Sequence, residues 1–450
     1  MSDLKSKSLA ELHELAGKAG IEKFRLLRRE ELIEKLGPAP GDSATGPDST
    51  SEKAEKAPQR RRRGRDRSRR ENDESRGGRG EQSRSKDREQ PRQDEPGDSE
   101  EDPVLDAVTG VLDVLPRGSG IIRADDAPSA GVYVSPAQIR RCELRSGDEI
   151  SGPVRPARRG ERRPSLVRVE TVNGEPPVDE RPPRFESLTP VAPHRHMPLG
   201  GGEDDILARA VDLLTPLAFG QRVLVEAQPR SGRTSFLRSL AKAITSGSGD
   251  RAEIIVLLVD ERPEEVTAWN REVPGVEIAA APADLGAHEQ VRLAERILAR
   301  VKRQVEAGHD VVLIVDSLTR LGNAYGDPGA VKPFFGAGRE LEEEGSGSAT
   351  VIATALHGSP GDQDVLNAVH TTENATIRLD ADLAAAGVEP SLDVNCCGLS
   401  GQESVLDPAG IEAVRRLRAE LRDLDPAPAA SRLAELIKGS ASNEELLKNL

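Results

Sequence analysis

Three groups of residues could do chemistry together. The first is Ala227-Gln-Pro-Arg-Ser-Gly-Arg-Thr-Ser235, which follows the apolar run Val223-Leu-Val225 and leads into a helical pattern, Phe236 to Ile244. Strand, small-residue loop and helix form the setting in which backbone N–H groups and a helix N-terminus cradle phosphates. The phosphate-loop pattern asks for Gly, four residues, then Gly-Lys-Ser/Thr. Gly232 and Thr234 fit, while Ala227 stands at the first glycine and Arg233 at the lysine. Arginine keeps the charge but replaces a compact point charge with a longer planar fork, so weakened hydrolysis is expected. The second group is Asp316, closing the apolar run Val311 to Val315. A carboxylate there suits Mg²⁺, together with Thr234, or the capping of a following helix. The third is Glu261, just past another apolar run, placed to activate water or to join a surface ion pair with its charged neighbours Asp260, Arg262, Glu264 and Glu265.

The elements that must position these groups alternate. Strands are expected at 222–226, 253–259, 276–280, 310–315 and 349–354, with helices at 206–214, 233–245, 264–272 and 288–307. Apolar strands between amphipathic helices mean an α/β domain, a parallel sheet covered on both faces. Nucleotides bind beyond the carboxyl ends of such strands, where all three groups fall. This domain spans 204–450.

Residues 1–37 carry leucines at helical spacing and read as a small helical unit. Residues 38–103 are low in complexity: an Arg/Gly/Ser block from Arg60 to Arg79, then an acidic end. No core forms from such a composition, which suits a disordered segment that coats RNA phosphates or a solvated linker. Residues 104–175 show short alternating runs with regular turns, including 109–115, 121–122, 132–134 and 166–172, which predict a small OB-like or cold-shock-like β-barrel. Its arginines, among them Arg123, Arg140, Arg141, Arg155, Arg158, Arg159, Arg162 and Arg163, and its single aromatic, Tyr133, favour single-stranded nucleic acid. Residues 176–203 read as a Pro/Gly-rich linker whose His194 and His196 are solvated.

The 450 residues carry 63 Lys+Arg against 77 Asp+Glu, a net charge of -14 that hides the basic block. Cys142, Cys396 and Cys397 show no metal-ligand spacing, so reduced thiols are expected. No apolar run nears the roughly 20 residues of a membrane span, and the N-terminus lacks a secretory pattern. A cytoplasmic protein is expected.

Taken together, Gly220-Gln-Arg222, Pro229-Arg-Ser-Gly-Arg-Thr234, Val259-Asp-Glu-Arg-Pro-Glu-Glu-Val-Thr267, Asp316-Ser-Leu-Thr-Arg-Leu321, Phe334-Phe-Gly-Ala-Gly-Arg339 and Ile352-Ala-Thr-Ala-Leu356 resemble the Rho family of transcription termination factors. Val132-Tyr-Val-Ser-Pro-Ala-Gln-Ile-Arg-Arg141 and Leu144-Arg-Ser-Gly-Asp148 resemble its RNA-binding barrel. The resemblance implies a RecA-like, RNA-dependent ATPase and helicase, a hexameric ring that threads single-stranded RNA and removes RNA polymerase. It implies ATP and Mg²⁺ as cofactors, Glu261 as catalytic base, and Thr234 and Asp316 at the metal. It places Ala218, Phe219, Gly220, Gln221, Arg222 and Val223 by the nucleotide, with Arg230, Ser231, Gly232, Arg233, Thr234 and Ser235 as the phosphate loop and Arg262 approaching. RNA falls to Arg123, Tyr133, Arg140, Arg141 and Arg155.

Departures cluster where work is done. Ser119 and Ile121 stand where the family's barrel shows aromatics. Gly326 to Lys332 is shorter than the family's central RNA loop, and Gly358 to Gln363 lacks its lysine. Ser400 stands where the arginine finger belongs, a loss worth about 10³–10⁵ in rate. The alternative to a working ATPase is therefore an ATPase-deficient, RNA-binding or regulatory subunit in a mixed ring with another Rho.

Overall fold

The computed structural model describes residues 105–123, 131–178, 181–202, 205–358 and 361–450. The expected helical unit and the arginine-rich segment lie outside the described residues.

Six short strands come first: β1 (Leu105–Val114), β2 (Gly120–Arg123), β3 (Val132–Val134), β4 (Glu149–Arg155), β5 (Ser165–Leu166) and β6 (Thr171–Val172), with helix α1 (Pro136–Arg141) after β3. Their order is β1-β2-β3-β5-β4-β6, and a further β1–β4 pairing closes the first five into a barrel. Alternation along β4, inward at Ile150, Gly152 and Val154, fills the interior with Leu112, Ile122, Val132, Val134 and Leu166. Ser135 and Gln138 cap α1 reciprocally, fixing the turn out of β3. The expected strand over 166–172 is instead two two-residue strands, because β5 and β6 both pair with β4 at different points.

The larger layer follows β7 (Pro190–Val191). It contains α2 (Ile206–Leu214), β8 (Arg222–Ala227), α3 (Arg233–Ser248), β9 (Glu253–Glu261), α4 (Pro263–Glu272), β10 (Glu277–Pro282), α5 (Ala287–Glu306), β11 (Val311–Asp316), α6 (Leu318–Tyr325), α7 (Lys332–Phe335), β12 (Glu340–Leu341), β13 (Ala349–Leu356), α8 (Asp362–Val369), β14 (Ala375–Leu379), α9 (Ala381–Ala385) and β15 (Gly398–Leu399). Helices α10 (Pro408–Leu421), α11 (Pro426–Lys438) and α12 (Asn443–Asn449) close the chain. Seven strands run in the order β10-β9-β11-β13-β8-β14-β15, parallel except for β15. Strand pleating sends Val223, Val225 and Ala227 into a core beneath α2, α3 and α11, and Leu224 into the core of α5, α6 and α7 on the other face. Both faces are thus covered, and β11 is buried throughout.

The expected linker is tied down at several points. Arg181 forks onto Asp148 at 2.7 Å to each carboxylate oxygen, tying the linker to the barrel. Phe185 is buried, β7 pairs with β12, and Arg195 reaches both Asp310 and Glu340. His194 and His196 each face one carboxylate, Glu340 at 3.1 Å and Asp212 at 3.0 Å. Glu306, at the end of α5, joins barrel, linker and sheet: it accepts from Arg145 at 3.0 Å, from the Phe185 amide at 2.6 Å and from Arg303 at 2.5 Å. Burial pushes its carboxyl up against these cations. A Cβ at Gly147 would come within 2.3 Å of the Ala299 backbone, so only glycine lets this barrel turn meet α5.

After α6 the chain stays short and packed. Gly326 adopts φ +69 as the helix cap, Asp327 accepts from the Gly329 amide at 2.8 Å, and Phe334 and Phe335 turn inward.

Candidate functional sites

The end of β8 sits between Leu356 of β13 and Leu379 of β14, both paired with Ala227. Ala227 closes an extended strand and is fully buried, so nothing in its backbone demands glycine. The loop then turns left-handed twice, at Arg230 (φ +67) and at Gly232 (φ +79), before α3 starts at Arg233. A Cβ at Gly232 would meet only Ser391 Oγ at 3.6 Å, so conformation and not crowding favours glycine there. The segment around α9 braces the loop. Gln228 Oε1 accepts from the Ala381 amide at 3.1 Å, and Ser391 Oγ donates to the Ser231 carbonyl at 2.7 Å. No sequence pattern announces these braces, which join residues more than 150 positions apart.

Arg233 does not point at open space. Its Nη2 donates to Glu261 Oε1 at 2.7 Å, and its Nε lies 2.9 Å from Asp316 Oδ1. Arg320, from the first turn of α6, makes a close ion pair with the same Glu261 oxygen. Thr354 Oγ1 donates to Asp316 Oδ1 at 3.1 Å. Glu261 is 3% exposed and Asp316 0%, so the surface ion pair considered for Glu261 is excluded. Burial, and then the Asp316 charge, push the Glu261 carboxyl above the ordinary carboxylate range, opposed by Arg320 and Arg233. Arg320 carried no role in the sequence, although its place one turn past Asp316 was the available signal.

Arg233, Glu261 and Arg320 line a cavity of about 390 Å³ with Arg230, Thr234, Ser235 and Arg262, and Asp316 is reached through Arg233. Ser231 is buried beneath the loop. The pair expected to hold a divalent cation is Thr234 and Asp316. It is Arg233 whose side chain reaches Asp316, and Oδ1 of that carboxylate is taken by Arg233 and Thr354. Oδ2 alone has no hydrogen-bond partner. A cation would have to act through the carboxylate that a guanidinium already holds, so the residues present do not fit it.

Six residues expected by the nucleotide are not brought to this cavity. Ala218, Phe219, Gly220, Gln221, Arg222 and Val223 precede or open β8, and the phosphate loop follows its end. Five residues of parallel strand separate the two by roughly 16 Å. Ala218, Phe219 and Val223 are core residues. Gln221 and Arg222 instead line a second cavity, about 460 Å³, with Arg339, Asn374 and Ser400. Ser400 is there because β15 pairs with the start of β14, Leu399 opposite Ala375.

A third cavity, about 520 Å³, opens on the barrel between Tyr133, Arg141, Arg155, Arg162, Arg163 and Val167. Tyr133 is 38% exposed, available for stacking. Glu161, unassigned from sequence, lines the same cavity and forks with Arg155 at 2.8 Å on both oxygens. That pairing, with the Arg158 amide, lowers its carboxyl to about 2. Two expected RNA contacts fall elsewhere. Arg140 is exposed outside the cavity, and Arg123 turns toward Asp113 at 3.8 Å, where burial and the neighbouring Arg292 lower its pKa.

A parallel sheet with a phosphate loop at its carboxyl edge, joined to a closed five-strand barrel, defines a RecA-like nucleotide-binding protein with an oligonucleotide-binding barrel. Family models match at residues 3–36 (Rho termination factor, N-terminal domain), 108–178 (Rho termination factor, RNA-binding domain) and 208–331 (ATP synthase alpha/beta family, nucleotide-binding domain). Transcription termination factor Rho of Chromobacterium violaceum is 38% identical over 368 residues, 76% of this chain and 87% of that protein, and the Haemophilus influenzae factor is 37% identical over 366 residues, 75% and 86%. The chain belongs to the transcription termination factor Rho family. The Streptomyces lividans relative is also 38% identical, over 77% of this chain, but the chain spans only about half (52%) of that longer protein.

Proposed function

We propose that this chain is a Rho-type transcription termination factor that binds nascent RNA on its barrel and ATP at its phosphate loop, acting on RNA polymerase. One observation carries the nucleotide half: Arg230, Arg233, Thr234, Glu261, Asp316 and Arg262 converge from three strand ends. ATP phosphates would lie over the α3 N-terminus, with Arg230 and Arg262 on the rim. Water activation falls to Glu261, which must first be released by Arg233 and Arg320. While both guanidiniums hold Glu261, the carboxylate is not free to meet a water, so turnover is slow. The position of Gln221, Arg222 and Ser400 at the far end of β8 favours a ring, in which that cavity serves a neighbouring copy.

Phosphate release with saturating single-stranded RNA tests the proposal. The native chain hydrolyses ATP slowly and only with RNA. The double variant Arg233→Lys/Ser400→Arg gains about 10³-fold, the low end of an arginine-finger effect. A folded double variant with no RNA-stimulated turnover would overturn the proposal.

A further inference from the structure

We infer that the phosphate-loop site takes its nucleotide without a divalent cation, the Arg233 guanidinium standing in for one. This rests on the nucleotide-binding role proposed above.

A lysine at position 233 would end in one point charge. Arginine ends in a fork that engages two partners at once. Here the fork spans Glu261 and Asp316, at 2.7 Å and 2.9 Å, joining the two carboxylates that would otherwise compete for a cation. The deep part of the site is then balanced: Arg233 and Arg320 against Glu261 and Asp316, with Glu261 and Asp316 almost wholly removed from water. A dication added there meets two guanidiniums with little solvent to screen them. Asp316 Oδ2, which has no hydrogen-bond partner, sits on the carboxylate that Arg233 already neutralises.

The phosphates still need positive charge, and the rim provides it. Arg230 and Arg262 are exposed at the mouth of the same cavity, and the N-terminus of the 16-residue α3 opens into it. Charge that a lysine-bearing site draws from a metal is supplied here by side chains. The nucleotide is therefore recognised as a free polyphosphate anion rather than as its metal complex.

Titration of the full chain with a ribose-labelled fluorescent ATP, once with excess EDTA and once with Mg²⁺, decides the matter. The two dissociation constants agree within about threefold for the native chain. For Arg233→Lys, which releases Asp316, Mg²⁺ tightens binding by about tenfold or more. Tightening of the native chain by Mg²⁺ beyond threefold overturns the inference and leaves nucleotide binding intact. An unchanged ratio in Arg233→Lys also overturns it, by removing Arg233 as the cause. Absence of binding in both buffers overturns the inference and the nucleotide-binding role together.

Discussion

In the phosphate-loop cavity, Arg233 and Arg320 are held by carboxylates that are 3% and 0% exposed. In the barrel cavity, Glu161 is committed to Arg155, while Arg162 is exposed. Both pockets are arginine-rich. One spends its cations on internal charges; the other keeps donors for a ligand. Counting arginines therefore does not measure how strongly a surface attracts phosphate. What matters is whether a buried carboxylate has claimed the guanidinium first.

The largest effect should come from breaking the internal pairing. Asp316→Asn leaves Arg233 half-neutralised in a dry site and should cost about 3 kcal/mol, the low end for a broken buried pair because Glu261 remains. A denaturant midpoint shift measures it. Glu161→Gln in the barrel pocket, an exposed pair, should leave the midpoint nearly unchanged in the same assay, and equal losses would erase the contrast.

Removing the stacking surface comes next. Tyr133→Ala should weaken single-stranded RNA by about 1–3 kcal/mol in a fluorescence-anisotropy titration. Smaller still, Arg163→Ala should reduce the slope of log K against log salt by about one contact, whereas Arg233→Lys should leave that slope unchanged.

The smallest effect concerns pH. The Glu161 carboxyl is depressed to about 2, so its pairing with Arg155 is fully present above the ordinary carboxylate range and is lost only as pH falls through about 2. RNA affinity of the native chain and of Glu161→Gln should therefore run parallel from pH 8 to pH 5. Curves that diverge in that window would show that Glu161 titrates there and that the barrel arginines are gated.

Much of this molecule was legible as sequence because its signals are local. The apolar runs at 253–259 and 310–315, the turn residues after Val225, and the helical spacing from Phe236 each report on a few consecutive residues. They became β9, β11, the phosphate loop and α3 within two or three residues of expectation. Local pattern also placed Glu261 and Asp316 at strand ends and marked Arg233 as the departure. The ties of the linker were not legible, because Pro and Gly describe irregular backbone and not what it meets. Arg181 meets Asp148 and Arg195 meets Asp310, partners that no local pattern links to them.

The sequence by itself determined which residues could serve phosphates and which family pattern they make. Tertiary structure decided what those residues touch. Strand order β9-β11-β13-β8 is not sequence order, so Glu261, Asp316 and Arg233 come from three strand ends that no periodicity relates. Whether a guanidinium meets a phosphate or a carboxylate depends on those long-range positions and on the exclusion of water around them. The same register puts Gln221, Arg222 and Ser400 at the opposite end of the sheet, because a strand has length and its two ends serve different surfaces.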